Sequence, residues 1–155
     1  MTDNYLIVVG VDGSEGGRRA LDWAANEAAT RGGTVQAVIA WRWDGVDLDP
    51  HTVRPDEVRR HAEQVLDREI AGLTARRGSA HPVAAEAVEG SAAHVLADAA
   101  RAADLLVLGS HGHGRLRHTV LGSVSDEVIR LAPCPVVVIP VPVAAIPSAE
   151  PAVRA

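Results

Sequence analysis

The sequence predicts an α/β protein, built on an open parallel β-sheet with helices on both faces. Two observations support this fold class. Short runs of β-branched and other apolar residues alternate along the chain with longer segments of helical periodicity. The apolar runs are also apolar on both faces, which is typical of parallel strands covered by helices on two sides. Strands and helices in this alternation form right-handed βαβ units.

The first strand is predicted at residues 5–11, and it ends at the turn Asp12-Gly13-Ser14. Ser14 is a natural N-cap for the first helix, because its hydroxyl can accept a hydrogen bond from a first-turn N–H. Alanine and leucine then recur at helical spacing until Gly32-Gly33, where the helix is expected to end. The apolar run at residues 35–41 predicts the second strand.

Residues 42–55 lack any periodicity and predict a long loop, a feature that is often functional in compact domains. A second helix is predicted from Pro55-Asp56 to about Gly78, with apolar residues along one stripe. Residues 82–88 predict a third strand that is less apolar than the others, and Ser91 is expected to cap a third helix.

The fourth strand is predicted at residues 105–108 and is followed by a glycine-rich loop, a short helix at residues 123–131 and a fifth strand over Val136 to Ile139. We expect one domain over residues 1–142, with residues 143–155, rich in alanine and proline, as a flexible tail. The pattern alone leaves two strand orders open, 2-1-3-4-5 and 3-2-1-4-5.

The composition excludes several classes of function. The chain has 155 residues and a formal net charge of -5, and all 15 of its basic residues are arginine, which excludes a phosphate-binding loop of the lysine-containing Walker A type. An acidic chain with few aromatic residues is not expected to bind nucleic acid. The sequence also shows no signal-peptide pattern and no apolar run long enough to span a membrane, so we expect a cytoplasmic protein without a membrane partner.

Two segments that follow strands are candidates for a ligand site, because ligands of open α/β sheets bind at the carboxyl ends of strands. One is the segment from Gly10 to Ser14 after the first strand, and the other begins at Gly109 after the fourth. Glycines in the second segment allow successive backbone N–H groups to point inward, where they favour an anion. The helix that starts after Gly122 adds its N-terminal N–H groups and the positive end of its dipole. This segment therefore predicts an anion-binding loop.

Each of these features has a simpler interpretation. Glycines after a strand are common turn residues. Ser123 and Asp126 have the spacing of a capping box and could serve only the helix. His111, His113 and His118 suggest a metal, but no fourth ligand has a matching spacing, so no metal site is predicted.

The spacing of the glycines is more specific than the residues themselves. Gly109, Gly112 and Gly122-Ser123 reproduce the G-x2-G-x9-G-[ST] signature of the ATP-binding branch of the universal stress protein family. Residues 109–139 as a whole resemble the C-terminal block of that family, and residues 8–14 (VVGVDGS) resemble its first strand and turn. With the order of the elements, the resemblance extends over about residues 5–140.

The resemblance implies a Rossmann-like fold of the adenine nucleotide alpha hydrolase type, with five parallel strands in the order 3-2-1-4-5. Asp12 would then hydrogen-bond the ribose hydroxyls, and the backbone near Ala40 would hold the edge of the adenine. The segment from Gly109 would enclose the ribose and phosphates, and the helix end from Gly122 would bind the phosphates. The implied nucleotide-binding residues are Gly10, Asp12, Ser14, Ala40, Gly109, Ser110, His111, Gly112, His113, Gly114, Arg115, Gly122, Ser123, Val124 and Ser125.

Two pairs of residues complicate this interpretation. Trp41 and Trp43 follow the adenine position, where smaller aliphatic residues are common in the family, and either cover the base or cover the sheet edge; we favour the second interpretation. His111 and His113 are interpreted as solvated loop residues without a catalytic role.

The function that the resemblance implies is regulatory ATP binding in a stress response, with magnesium at most as a counter-ion and little or no turnover. No catalytic residues are predicted, because no set of groups would hold a metal, orient a nucleophile and stabilise the developing charge.

The fifth strand would lie at a sheet edge, where the family typically dimerises, so we expect a homodimer paired over Val136 to Ile139. Two alternatives remain: a slow ATPase or nucleotidyl-transfer enzyme that uses the same loop, and a dimeric interaction protein that binds no nucleotide. Cys134 is expected to be a small buried apolar residue.

Overall fold

The computed structural model describes residues 4–43, 54–79, 82–111 and 121–141. Five strands lie within this described part of the chain: β1 (Leu6–Gly10), β2 (Thr34–Trp41), β3 (Val83–Glu89), β4 (Leu105–Gly109) and β5 (Val136–Ile139). They form one parallel sheet in the order β3-β2-β1-β4-β5. The strand order 3-2-1-4-5 is thereby confirmed, and the alternative order 2-1-3-4-5 is wrong.

The helices that connect these strands are α1 (Glu15–Arg31), α2 (Pro55–Arg77), α3 (Ala92–Ala99) and α4 (Ser123–Leu131). Their bounds and those of the strands agree with the predicted elements to within one or two residues, except that the third helix, whose apolar pattern predicts it to continue through Ala103, ends as α3 at Ala99. One short element was not predicted, a turn of 3₁₀ helix over Ala100–Ala102 that follows α3 directly. None of the described helices has both the length and the apolar character that crossing a bilayer requires.

The core lies in two layers, one on each side of the sheet. Because side chains alternate along a strand, Ile7 and Val9 of β1 pack with α1 and α2, whereas Val8 packs with α3 and α4. All three are fully buried. Valine, leucine, isoleucine and alanine dominate both layers, which is consistent with a chain that contains no phenylalanine.

The first helix is held at both of its ends. At the N-terminus the Ser14 hydroxyl accepts a hydrogen bond from the Gly17 N–H at 3.2 Å, so the predicted cap is present. At the C-terminus Gly32 adopts the left-handed conformation, with φ of 66°, and its N–H donates to the Ala28 carbonyl. Near its start Arg18 forms a two-point ion pair with the buried Glu69 of α2, at 3.2 and 3.3 Å. This pair raises the pKa of Arg18 and fixes α1 against α2.

Cys134 differs from its prediction. It is half-buried against the layer of α3 and α4, and it is not part of the fully buried core. Burial, together with the nearby Asp104 carboxylate, raises the pKa of its thiol, so the thiol carries a proton at neutral pH. This protonated form is the poorer nucleophile, which agrees with a packing role.

Candidate functional site

A cleft of about 220 Å³ opens at the carboxyl ends of β1 and β4. These strands are neighbours in the centre of the sheet, and the strand order reverses between them. Open α/β sheets bind their ligands at such a position. Every predicted site residue that the structure describes lines this cleft: Gly10, Asp12, Ser14, Ala40, Gly109, Ser110, His111, Gly122, Ser123, Val124 and Ser125. The other four, Gly112, His113, Gly114 and Arg115, lie outside the described residues, as does His118.

The turn between β1 and α1 forms one wall of the cleft. Asp12 Oδ1 accepts hydrogen bonds from the Ser14 backbone N–H, at 2.9 Å, and from the Ser14 hydroxyl. Gly13 turns the chain with φ of 81°. A Cβ at Gly17 would lie only 2.9 Å from Asp12 Oδ1, so the absence of a side chain at Gly17 leaves room for the folded-back carboxylate. Asp12 itself is exposed at the cleft and presents a hydrogen-bond acceptor to a ligand.

The end of β4 forms the opposite wall and connects directly to α4. The Ser110 carbonyl accepts hydrogen bonds from the Gly122 N–H at 2.6 Å and from the Ser125 hydroxyl at 2.9 Å. The Ser110 hydroxyl lies 3.0 Å from Nδ1 of His111, which lines the cleft. Ser110 and Ser125 are buried, so these bonds are well shielded from water.

The two walls approach each other through a pair of glycines. A Cβ at Gly109 would lie 2.6 Å from the backbone carbonyl carbon of Gly16, and a Cβ at Gly16 would lie 2.2 Å from the backbone oxygen of His111. Side chains at these positions would collide with backbone, which cannot rotate away. Gly16 and Gly109 therefore set the distance between the start of α1 and the end of β4.

The N-terminus of α4 faces the cleft without a side-chain cap. Its N-cap is Gly122, which has no side chain to accept from the first-turn N–H groups. Ser123 is thus the first helical residue and not the cap, and the predicted capping-box interpretation of Ser123 with Asp126 is wrong. Asp126 instead pairs with Arg130 at 3.1 Å along the helix surface. The helix end therefore offers N–H groups and the positive end of the helix dipole to an anion.

The third helix supplies an apolar wall that the sequence analysis missed. Ala92 and Leu96 of α3 line the cleft together with Val38 and Leu108, on the same face of the sheet as Ala40. The Leu96 side chain covers Gly10 so closely that a Cβ there would lie 2.8 Å from Leu96 Cδ1. Part of this apolar wall could have been predicted from the sequence, because Val38 shares a strand face with Ala40 and Ala92 shares a helix face with Leu96. Val11, which lies within the candidate segment from Gly10 to Ser14, also lines the cleft, as does Gly17, which was not predicted.

The tryptophans lie away from this apolar wall. Trp41 is half-buried and packs against the core layer of α1 and α2, on the opposite face of the sheet from Ala40. Trp43 is 45% exposed. Neither side chain lines the cleft, so the structure disfavours the interpretation that they cover the base, and Trp41 instead covers the core at the carboxyl end of β2, an interior strand of the sheet.

The described residues offer little to a metal ion. In residues 4–43, 54–79, 82–111 and 121–141, no group of three or more histidine, cysteine, aspartate or glutamate side chains lies close enough to hold one. Among the described lining residues of the cleft, Asp12 is the one carboxylate. The cleft thus combines an apolar wall, a hydrogen-bond acceptor and a helix N-terminus, which suits a ligand with a flat apolar part and an anionic part.

Comparisons with known proteins agree with the resemblance seen in the sequence. The model of the universal stress protein family matches residues 6–140. A universal stress protein of Mycobacterium tuberculosis is 33% identical over 135 aligned residues, which cover 85% of this chain and 47% of the relative. The chain spans about half the length of the curated relatives it matches.

Solved structures of similar proteins have the same fold. A protein of the universal stress protein family from Burkholderia pseudomallei is 30% identical, with a TM-score of 0.66, and the match covers 91% of this chain and 99% of that one. A universal stress protein from Archaeoglobus fulgidus, solved in complex with dAMP, is 24% identical, with a TM-score of 0.65 and coverage of 90% and 99%. The predicted fold class and family are confirmed.

Proposed function

This chain belongs to the universal stress protein family, and from that membership we propose that its cleft binds ATP and that the bound nucleotide regulates the protein. The observation that carries the proposal is the arrangement of the cleft walls. The apolar residues of α3 and β2 stand across from the uncapped N-terminus of α4, so a nucleotide can place its base on one side and its phosphates on the other. The dAMP complex of the Archaeoglobus fulgidus protein supports an adenine nucleotide as the ligand class.

The phosphates would lie at the start of α4. Gly122 leaves the N–H groups of Ser123, Val124 and Ser125 uncovered by a cap side chain, and a helix N-terminus stabilises a negatively charged group. These groups replace the lysine of other phosphate-binding loops, and the chain contains no lysine. The predicted residues Gly112, His113, Gly114 and Arg115 would complete the enclosure of the ribose and phosphates.

The base and ribose would lie toward β2 and β1. Ala40 and Val38 provide a flat apolar surface at the end of β2, and Leu96 closes it from α3. The exposed Asp12 carboxylate can accept hydrogen bonds from the ribose hydroxyls, while Ser14 fixes its orientation. A magnesium ion would act here as a counter-ion held mainly by phosphate oxygens and water, with Asp12 as the one carboxylate among the described lining residues.

We propose regulation and not turnover because phosphoryl transfer requires a positioned nucleophile, a held metal and stabilisation of the developing charge. The assigned role of Asp12 is ribose binding, which leaves the described part of the cleft without a second carboxylate for a metal or a general base. The protein would act in the cytoplasm, with residues 1–142 as its nucleotide-binding domain.

ATP is expected to stabilise the folded protein, because a ligand that binds only the folded state shifts the unfolding equilibrium. At a hundredfold excess over the dissociation constant, the free energy of unfolding should rise by about 2.7 kcal/mol. Urea denaturation with and without ATP and magnesium measures this change. An equal concentration of sodium triphosphate is the control for general ionic effects, and an unchanged unfolding midpoint in millimolar ATP would contradict the proposal.

We further propose that two copies of the chain pair through β5. This strand has β4 on one side and an open edge on the other, and its four residues are all half-buried. The Leu106 N–H donates to the Pro135 carbonyl and the Ser110 N–H to the Ile139 carbonyl, so the odd-numbered residues of β5 face β4. By alternation, the backbone groups of Val136 and Val138 face the open edge.

The variant Val138→Pro tests this pairing. Proline removes the N–H that faces the open edge but none of the N–H groups that face β4, so the sheet should persist while the dimer is lost. Sedimentation velocity should give a dimer for the wild type and a monomer for the variant. Val138→Thr keeps the N–H and the branched Cβ and should remain dimeric. A monomeric wild type, or a dimeric Val138→Pro variant, would contradict the pairing.

A further inference from the structure

Ser110 connects the cleft to the edge of the sheet. It follows the last residue of β4, is 6% exposed and forms hydrogen bonds with both groups of its backbone and with its side chain. Its N–H donates to the Ile139 carbonyl of β5 at 2.8 Å. Its carbonyl accepts from Gly122 and Ser125 at the start of α4, and its hydroxyl accepts from the Val141 N–H at 3.3 Å.

The hydrogen bond from the Val141 N–H to the Ser110 hydroxyl replaces a regular backbone hydrogen bond between β4 and the β5 segment. Residues 135 and 139 of the β5 segment pair with β4 through their carbonyls, so the Val141 N–H, two residues after Ile139, points to the same side. In a continuing ladder this N–H would donate to the Ser110 carbonyl. That carbonyl is already shared by the Gly122 N–H and the Ser125 hydroxyl, and the Ser110 hydroxyl accepts the Val141 N–H instead.

The same residue therefore holds two elements with two different groups. Its carbonyl is hydrogen-bonded to the N-terminal turn of α4, and its hydroxyl is hydrogen-bonded to Val141 at the end of the β5 segment. The Ser110 hydroxyl can rotate about χ1. Its hydrogen bond to Val141 is therefore easier to break than a hydrogen bond between two backbone groups of the sheet. The connection between α4 and the end of β5 thus depends on the placement of one buried hydroxyl, which His111 Nδ1 also contacts at 3.0 Å.

We propose that Ser110 is a positioning residue that couples occupancy of the cleft to the end of the edge strand β5. This inference rests on the proposed function, because it takes the start of α4 and His111 as parts of the nucleotide site. Phosphates at the start of α4 hold Gly122 and Ser125 in place, and these fix the Ser110 carbonyl. A fixed backbone limits the positions of the Ser110 hydroxyl and strengthens its bond to Val141.

Coupling of this kind is reciprocal. If the nucleotide strengthens the Ser110 to Val141 bond, then an ordered end of β5 strengthens nucleotide binding by the same factor. Ser110 thereby connects nucleotide binding in the cleft with the open edge of β5, where we propose that two copies pair. Val141 does not line the cleft in the described part of the chain, so its response reports transmission and not ligand contact.

Amide hydrogen exchange of Val141, followed by NMR, tests the coupling. ATP is added to saturation, as set by titration of each variant, and the melting temperature is measured in parallel to show that ATP binds. In the wild type, ATP should slow Val141 exchange by roughly fivefold or more, the lower range of typical coupling. The Val141 N–H faces β4, so pairing of two copies at the open edge does not itself protect it.

Ser110→Ala removes the hydroxyl and keeps both backbone bonds. Val141 should exchange faster in this variant, and saturating ATP should no longer slow it; loss of the ATP response is the readout that a purely structural role would not change. Ser110→Thr restores the hydroxyl and should restore the response. If ATP raises the melting temperature but leaves wild-type Val141 exchange unchanged, or if Ser110→Ala keeps the response, the coupling is overturned. If ATP changes neither quantity in the wild type, the proposed function itself fails.

Discussion

Gly122→Val is expected to weaken ATP binding by about two orders of magnitude, equivalent to about 2.7 kcal/mol of binding free energy. Gly122 is the N-cap of α4, and the side chain of an N-cap residue stands in front of the first-turn N–H groups. Valine would place its branched, apolar side chain between these N–H groups and the phosphates. A Cβ at this position would also lie 3.1 Å from the Ser110 carbonyl oxygen, so the helix end would have to shift.

Backbone strain does not contribute to this effect, since Gly122 has φ of -72° and ψ of 167°, which valine adopts readily. Isothermal titration calorimetry measures the loss of affinity, and circular dichroism shows whether the variant is folded. Gly72→Val in α2 is a matched control, because Gly72 lies away from the cleft and a Cβ there meets only the flexible end of Arg76. A folded Gly122→Val variant that binds ATP within threefold of the wild type would show that the phosphates lie elsewhere.

Gly16→Ala is expected to destabilise the folded protein by about 3 kcal/mol, at the upper end of typical overpacking costs. The new Cβ would lie 2.2 Å from the His111 backbone oxygen. Helix propensity alone would favour alanine by about 1 kcal/mol. The collision outweighs this gain, because the atom it meets belongs to the backbone and cannot rotate away as a side chain can.

Urea denaturation of Gly16→Ala measures this cost, and Gly72→Ala is the control. Both glycines lie within helices, but a Cβ at Gly72 contacts only the end of Arg76, at 3.1 Å. The Gly72→Ala variant should therefore be about 0.5–1 kcal/mol more stable than the wild type. If Gly16→Ala were stabilised to the same extent, the close approach of α1 and β4 would not exist as described.

The ends of the secondary structure elements could be predicted from the sequence where the chain carries its own signals. Gly122 precedes α4 and the prolines at 133, 135 and 140 bracket β5, and both elements have the predicted bounds. Local residues determine these ends, so no tertiary information was needed. The unpredicted 3₁₀ turn at Ala100–Ala102 has no such signal, since its alanines continue the pattern of α3.

The order of the strands could not be derived from periodicity. An apolar strand that is covered on both faces has the same pattern in any central position of the sheet, so both orders remained open until the family resemblance selected one. The same limit explains the missed α3 wall. Ala92 and Leu96 look like ordinary core residues, and only the position of α3 above Gly10 brings them to the cleft. Gly16 likewise looked like an unremarkable helical residue until its contact with His111 was seen.

The predicted site residues came together because they lie at the ends of β1, β2 and β4, which share one edge of the sheet. Motif spacing identified Gly109 and Gly122, but the reason for each glycine emerged only from the structure: Gly109 meets the backbone of Gly16, and Gly122 leaves the helix end uncovered. The hydrogen bonds of Ser110 to three parts of the chain have no sequence signature, because they depend on where β5 ends relative to α4.

An NMR titration of the ¹⁵N-labelled protein with ATP tests the central claim most directly. Saturable shifts are expected for the amide signals of Ser123, Val124 and Ser125, together with those of Gly10 and Ala40, at one ATP per chain. The amide signals of α2 on the far side of the sheet, such as that of Gly72, should remain unchanged. Saturable shifts confined to other parts of the chain, or no shifts at millimolar ATP, would contradict the claim that this cleft is the nucleotide site.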